Sequence, residues 1–274
     1  MRSVAYSLLF FALPCCGWAE DKPKSLLILV QGPDGHPVTT HEFIAGGEIM
    51  RRLLVDVPGL KVDVQRVDTE DGDILAEKIA AADGLALYLA QGARWLESGE
   101  RNKQAIVKVA GRGGGLFALH WAIGAHDVKY VAPFVELFGA CHGGADRKYK
   151  VLETRVTPAE HPATKGLKPF KIHDEFYYQL KTDPKHERFT PLLTAEIDGQ
   201  SPFVAWGWQR PNDGRSAGFS GGHFHANWKS PEYQRFIAQT ILWTMRIEPP
   251  RENFPPKLPD EVFQLPKRES GAGG

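Results

Sequence analysis

Gly113-Gly114-Gly115-Leu116-Phe117-Ala118-Leu119-His120-Trp121-Ala122 is the stretch on which the reading of the fold turns. Three glycines close a helical pattern, and four apolar residues in a row then read as a strand buried on both faces. A histidine follows at once, where the strand must turn sharply. A strand that is apolar on both faces needs cover above and below, which helices supply in α/β proteins. Working back from it, Glu100 to Ala110 is helical with Ile106, Val107 and Ala110 inward, and Gly84 to Leu89 is another buried strand. Asp71 to Ala82 is a helix and Leu60 to Val67 alternates as a strand. Before these, Phe43, Met50, Leu53, Leu54 and Val57 line one side of a helix that Pro58-Gly59 stops. The series begins with Ser25 to Val30. This β-α-β-α-β-α-β order predicts a doubly wound, mainly parallel sheet with helices on both faces.

Beyond residue 122 the pattern is less regular. Tyr149 to Val156, Phe203 to Trp206 and Arg215 to Phe219 read as strands between long loops, and Pro231 opens a last helix with Phe236, Ile237, Ile241 and Met245 inward. The domain therefore spans 20–248, followed by a Pro-rich, extended and loosely held tail over 249–274. At the other end, Arg2, the apolar run Val4 to Leu13 and Gly17-Trp18-Ala19 have the build of a secretory signal peptide over 1–19, cut before Glu20. The expected protein is thus exported, to the periplasm or beyond the cell, with no stable membrane insertion after cleavage. Cys15 and Cys16 leave with the leader, so Cys141 is alone and no internal disulfide forms; it reads as a packing thiol. With 33 Lys+Arg against 33 Asp+Glu, the 274-residue chain has no basic excess for nucleic acid. A small carbohydrate is the expected partner; oligomeric state is not legible.

In a doubly wound sheet the ligand lies beyond the carboxyl ends of the strands, which directs attention to the loops Gly32 to His41, Gln91 to Gly99 and His120 to Asp127. His120 sits at the position of a nucleophile elbow, where a strained turn projects one side chain. Histidine there excludes thiol acyl transfer and makes it a base, proton shuttle or metal ligand. His41 follows the natural N-cap Thr40. His173-Asp174-Glu175-Phe176-Tyr177-Tyr178 packs a base, two acids and two phenols together; if extended, His173 and Glu175 share one face and Asp174 points opposite. The sequence leaves open which acid faces the site. Gly221-Gly222-His223-Phe224-His225 contains His-x-His, which on a strand places both rings on one face. Gly218-Phe219-Ser220-Gly221-Gly222 fits G-x-S-x-G, but no helix starts after Ser220 and the acid and histidine order is wrong for a hydrolase. Trp95, Trp121, Trp206, Trp208, Trp228, Tyr177 and Tyr178 are candidates for stacking on sugar rings.

These residues resemble the ThuA-like family, named for a bacterial trehalose-utilisation protein and related in fold to class I glutamine amidotransferases. The matching stretches are His41-Glu42-Phe43, Gly113 to His120, Glu160-His161-Pro162-Ala163-Thr164-Lys165-Gly166-Leu167, Asp174-Glu175-Phe176-Tyr177 and Gly214 to Trp228. The resemblance implies a flavodoxin-like sheet, a role in carbohydrate metabolism on oxidised (keto) sugars, and His41, His120, Asp174, Glu175 and His223 as pocket residues. Trp121, where the family usually has a small residue, and His225 depart from its pattern. Two functions compete. In the first, an enzyme acts on a sugar or keto-sugar by hydrolysis, elimination or isomerisation. Its catalytic groups are His120, Glu175 and Asp174; His41, His120 and His223 hold a zinc-like divalent metal; and His41, Trp121, Tyr177, His225 and Trp228 contact substrate. In the second, the same cleft is a non-catalytic glycan-binding scaffold.

Overall fold

The structure, a computed structural model, describes residues 22–250 and 253–265. The leader read at 1–19 and the end of the tail lie outside these residues. The N-terminal half follows the alternation: β1 (Lys24–Val30), α1 (Phe43–Leu54), β2 (Leu60–Arg66), α2 (Gly72–Ala81), β3 (Gly84–Tyr88), α3 (Gly92–Leu96), α4 (Glu100–Gly111) and β4 (Gly115–Leu119). Next come the short β5 (Gly124–Ala125), α5 (Val131–Phe138) and β6 (Ala140–Gly143). The chain then runs through β7 (Lys148–Pro158), β8 (Phe170–Tyr178), β9 (Lys181–Thr182), β10 (Phe189–Ala195), β11 (Phe203–Gln209) and β12 (Arg215–Phe219) to α6 (Pro231–Met245).

Among the described residues the main sheet has the order β2-β1-β3-β4-β12-β11-β10-β7-β8, and β5-β6-β9 form a small second sheet. From β2 to β12 neighbours are parallel; from β12 to β8 they are antiparallel. The sheet is therefore mixed: its β2-to-β12 half is parallel, as the sequence suggested, and an antiparallel half is added to it. The reason is local: between β7 and β12 the connections carry no α-helix, and antiparallel neighbours need no crossover.

Alternate residues of β1 go to opposite cores. Leu26, Ile28 and Val30 join Phe43, Ile49 and Met50 of α1 and Phe236 and Ile237 of α6, whereas Leu27 and Leu29 join Leu75 of α2, Ile106 of α4 and Phe134 of α5. Period-two burial on both faces is what a strand of Leu, Ile and Val produces. Asp71 caps α2 by accepting from the backbone N–H groups of Asp73 and Ile74, and Ser230 caps α6 with Pro231 at its first position. Val107 is 44% exposed; the inward stripe of α4 is Ala105, Ile106, Val109 and Ala110. The tail is pinned, not loose, over its described part, because Phe254 and Phe263 are buried in the same core as α6. Cys141 is a buried free thiol, and burial pushes its pKa up, as expected for a packing residue.

Candidate metal centre

Three loops at the carboxyl ends of parallel strands carry the histidines. His120 is the first residue after β4 and has φ 53°, the left-handed conformation that an elbow requires and that costs a non-glycine residue energy. His41 lies between β1 and α1 with φ 52°, its backbone N–H bonded to the His223 carbonyl. His223 lies on the loop after β12, where Gly222 has φ 124° and a Cβ would stand 3.1 Å from that of His120. Only glycine lets that loop run so close to the elbow. The acid comes from the antiparallel half: Glu175 on β8 faces the same point.

The donor atoms converge. His41 Nε2 is 3.0 Å from His120 Nε2, and His223 Nδ1 is 3.0 and 3.3 Å from these two. Glu175 Oε2 stands 3.6 Å from His120 Nε2 and 3.5 Å from His223 Nδ1. Outer contacts fix the ring orientations. His120 Nδ1 lies 2.8 Å from the Ser220 carbonyl and His41 Nδ1 lies 2.8 Å from Asp34 Oδ2. Both partners only accept, so both Nδ1 atoms carry a proton, and with both rings neutral the two Nε2 atoms present lone pairs to each other. Two lone pairs 3.0 Å apart have no hydrogen between them and repel unless a cation lies among them. Nitrogens bound to one zinc-like ion in a tetrahedral array stand about 3.3 Å apart, so this donor set fits such an ion. The outer acceptors are the usual supports of ligating histidines.

Burial favours the neutral form of His120 and His223. Burial, with His41, His223 and His142 close by, holds His120 well below the usual imidazole range. Burial and the neighbouring His41 and His36 bring His223 down to about 4. Burial raises Glu175. Burial acts to raise Asp34 too, but the hydrogen bond and charge of His41 and the donors of His36 outweigh it and hold the carboxyl at about 2. Tyr177 stacks on His120 with its hydroxyl 3.1 Å from Nε2, and His142 stacks on Tyr177 at 4.0 Å.

Of the residues singled out in the sequence, the structure thus gathers His41, His120, His223, Glu175 and Tyr177. It places the others elsewhere. Asp174 is fully buried and turned away from the histidine rings, accepting from the backbone N–H groups of Gly222 (2.7 Å), Glu175 (2.9 Å), His223 (3.1 Å) and Phe224 (3.4 Å). It positions the His223 loop and is not placed for catalysis. Trp228 is in the core against Tyr88 and Tyr233, and Trp121 is buried against Tyr177 and His142, so neither ring is open to a sugar. Trp206 and Trp208 are likewise buried. His225 does not share a face with His223, because residues 221–224 are not a strand; it borders a separate cavity of about 350 Å³ with Phe224 and Phe263. Ser220 Oγ is buried with no hydrogen-bond partner, so no base activates it as a nucleophile. Asp34, His36 and His142 went unread; the one signal for Asp34 and His36 was their place in the loop after β1.

Residues 34–244 match the ThuA family, described as trehalose utilisation, and the chain belongs to that family. A ThuA-like protein from Bacteroides uniformis superposes with a TM-score of 0.62 at 14% identity, covering 85% of this chain and 95% of its own. Another, from Parabacteroides merdae, gives 0.59 at 14% identity over 82% and 90%. A GMP synthase-like protein from Thermoplasma acidophilum is more distant, at 0.43 and 11% identity over 79% and 92%. At these identities the likeness concerns the fold. A comparison with curated proteins finds no match.

Proposed function

We propose that the protein is an exported, metal-dependent enzyme acting on a sugar or keto-sugar, built on a doubly wound, flavodoxin-like parallel half. The observation that carries the metal is the pair of Nε2 lone pairs of His41 and His120 facing each other at 3.0 Å, with His223 Nδ1 and Glu175 Oε2 closing the set. His41, His120 and His223 would hold a zinc-like divalent ion, with Asp34 and the Ser220 carbonyl fixing two of the rings. The ion, when bound, polarises a carbonyl or lowers the pKa of a water. Glu175, whose pKa burial raises, takes and returns the proton, and the Tyr177 hydroxyl beside His120 donates a hydrogen bond to substrate oxygen. Membership of a trehalose-utilisation family supports the carbohydrate assignment. The leader read at 1–19 supports export.

Elemental analysis of untagged protein, purified without chelator, tests this reading. About one divalent ion per chain is expected, lost in His120→Ala and His223→Ala. Glu175→Gln should keep the ion and lose turnover by roughly a hundredfold or more in a screen of native and 3-keto sugars. A metal-free wild type that cannot be loaded with zinc would refute the metal.

A further inference from the structure

The β7–β8 ribbon carries Glu175 and Tyr177 to the histidines, and its register shows what stands beside them. Tyr149 pairs with Tyr177, Val151 with Glu175, Glu153 with His173 and Arg155 with Lys171. Directly opposed residues of antiparallel strands project from the same face, with Cβ atoms about 4.5–5.5 Å apart. Tyr149 and Val151 therefore share the face of Glu175 and Tyr177. They are also exposed, at 58% and 46%. Farther along, that face is polar and solvated, with Glu153, Arg155, Lys171 and His173 all exposed. A scattered exposed apolar residue needs no explanation. Here, however, the polar pattern of the face breaks only at the two positions opposite the residues that reach the centre. On the near side His173 stacks on Phe224, the neighbour of His223, so the same row of side chains continues to the loop that supplies a histidine.

From this juxtaposition we infer that Tyr149 and Val151 form a platform for a second ring, attached to the sugar unit held at the histidines. An apolar sugar face or an aryl aglycone lies on the Tyr149 ring, and Val151 extends that surface toward Glu175. The ligand class is then a disaccharide or glycoside with a ring-shaped aglycone, and Tyr149 is a specificity residue that takes no part in the chemistry. This inference rests on the carbohydrate reading above.

The test is calorimetric titration of the zinc-loaded full chain with matched pairs. Each pair comprises a methyl glycoside and the disaccharide or 4-nitrophenyl glycoside of the same sugar, in native and 3-keto forms. The expected result is tighter binding of the two-ring member, with Tyr149→Ala weakening that member about fivefold to tenfold and the methyl glycoside less than about twofold. Tyr149→Trp, which keeps a stacking face, should restore the preference. Zinc affinity should be unchanged in both variants, since Tyr149 supplies no donor atom to the centre. Equal weakening of both members, or no change in either, overturns the platform while leaving the carbohydrate reading intact. If no sugar in the panel binds, the carbohydrate reading fails and the platform with it. Light scattering that finds wild-type dimers and Tyr149→Ala monomers would assign the face to a second copy and overturn the proposal.

Discussion

Four possible donor atoms, from His41, His120, His223 and Glu175, close around one point, while one buried carboxyl outside the set holds the loop of His223. Asp174 accepts from four backbone N–H groups, and three of these belong to the loop that carries His223. Burial pushes Asp174 up to about 7, although those same donors pull it down. Asp174→Asn turns an amide NH2 toward backbone N–H groups and leaves buried donors unpaired. The expected outcome is a stability loss of about 1–3 kcal/mol by urea unfolding. Zinc affinity should fall roughly 10- to 100-fold by competition with a chelator. Unchanged zinc affinity would show that the His223 loop holds itself. The sequence made His120 legible because a polar residue closed an apolar strand. It made His41 and His223 legible because each stands in a loop at a strand end, although the cap expected at Thr40 does not form: its hydroxyl donates to the Pro37 carbonyl, and α1 begins after Glu42 with no side-chain cap. Asp174 and Glu175 could not be told apart, since adjacent residues of a strand point to opposite faces and nothing local says which face meets the site. Trp228 misled because an aromatic in a loop after a glycine run looks exposed, and only packing against Tyr88 and Tyr233 shows otherwise.

Among the elements, α3 is the least expected and the most exacting. Its five residues, Gly92–Leu96, pack on the turn that follows His120, and a Cβ on Gly92 would stand 2.1 Å from the Ala122 carbonyl oxygen. A backbone atom cannot swing aside as a side-chain tip does. Gly92→Ala should therefore push the elbow turn, costing about 1–3 kcal/mol of stability. It should also lower zinc occupancy in the purified protein, read by elemental analysis beside a urea titration. Full occupancy with a normal midpoint would mean that the turn has slack. The sequence missed α3 because five residues are too short for helical periodicity to register. It missed α5, Val131–Phe138, for the related reason that an almost wholly apolar octet has no polar face to mark its period. The parallel strands β1, β3 and β4 were legible because each is a short, mostly apolar run. In β7 the alternation instead mixes a buried face with a solvated one and with the exposed Tyr149 and Val151.

At the scale of the whole molecule, stability depends on imidazoles folded in the neutral form. His142 is 3% exposed; burial, then Arg147, His126 and Lys181, bring its pKa down to about 3. The unfolded chain binds a proton there near the ordinary value of about 6.5, so between about 3 and 6.5 the unfolded state holds more protons than the fold. Stability therefore falls as pH drops below about 6.5, by about 1.4 kcal/mol per pH unit for this group. Comparison with His142→Phe, which keeps a ring against Tyr177, isolates it. By about pH 5 the variant should gain about 2 kcal/mol on the wild type relative to their difference at about pH 7.5, measured from urea midpoints. A difference that does not move with pH would mean that His142 is protonated in the fold.

The order in which the chain supplies the centre has a consequence for its assembly. His41 and His120 precede β5, whereas Glu175 comes from the far edge of the sheet and His223 follows its last strand. A polypeptide still growing on the ribosome, or a fragment that stops before β8, has two of the three histidines of the centre and lacks both His223 and the acid Glu175. If the site takes the proposed ion, uptake must await the finished chain, and the ion would then clasp early and late segments together against proteolysis.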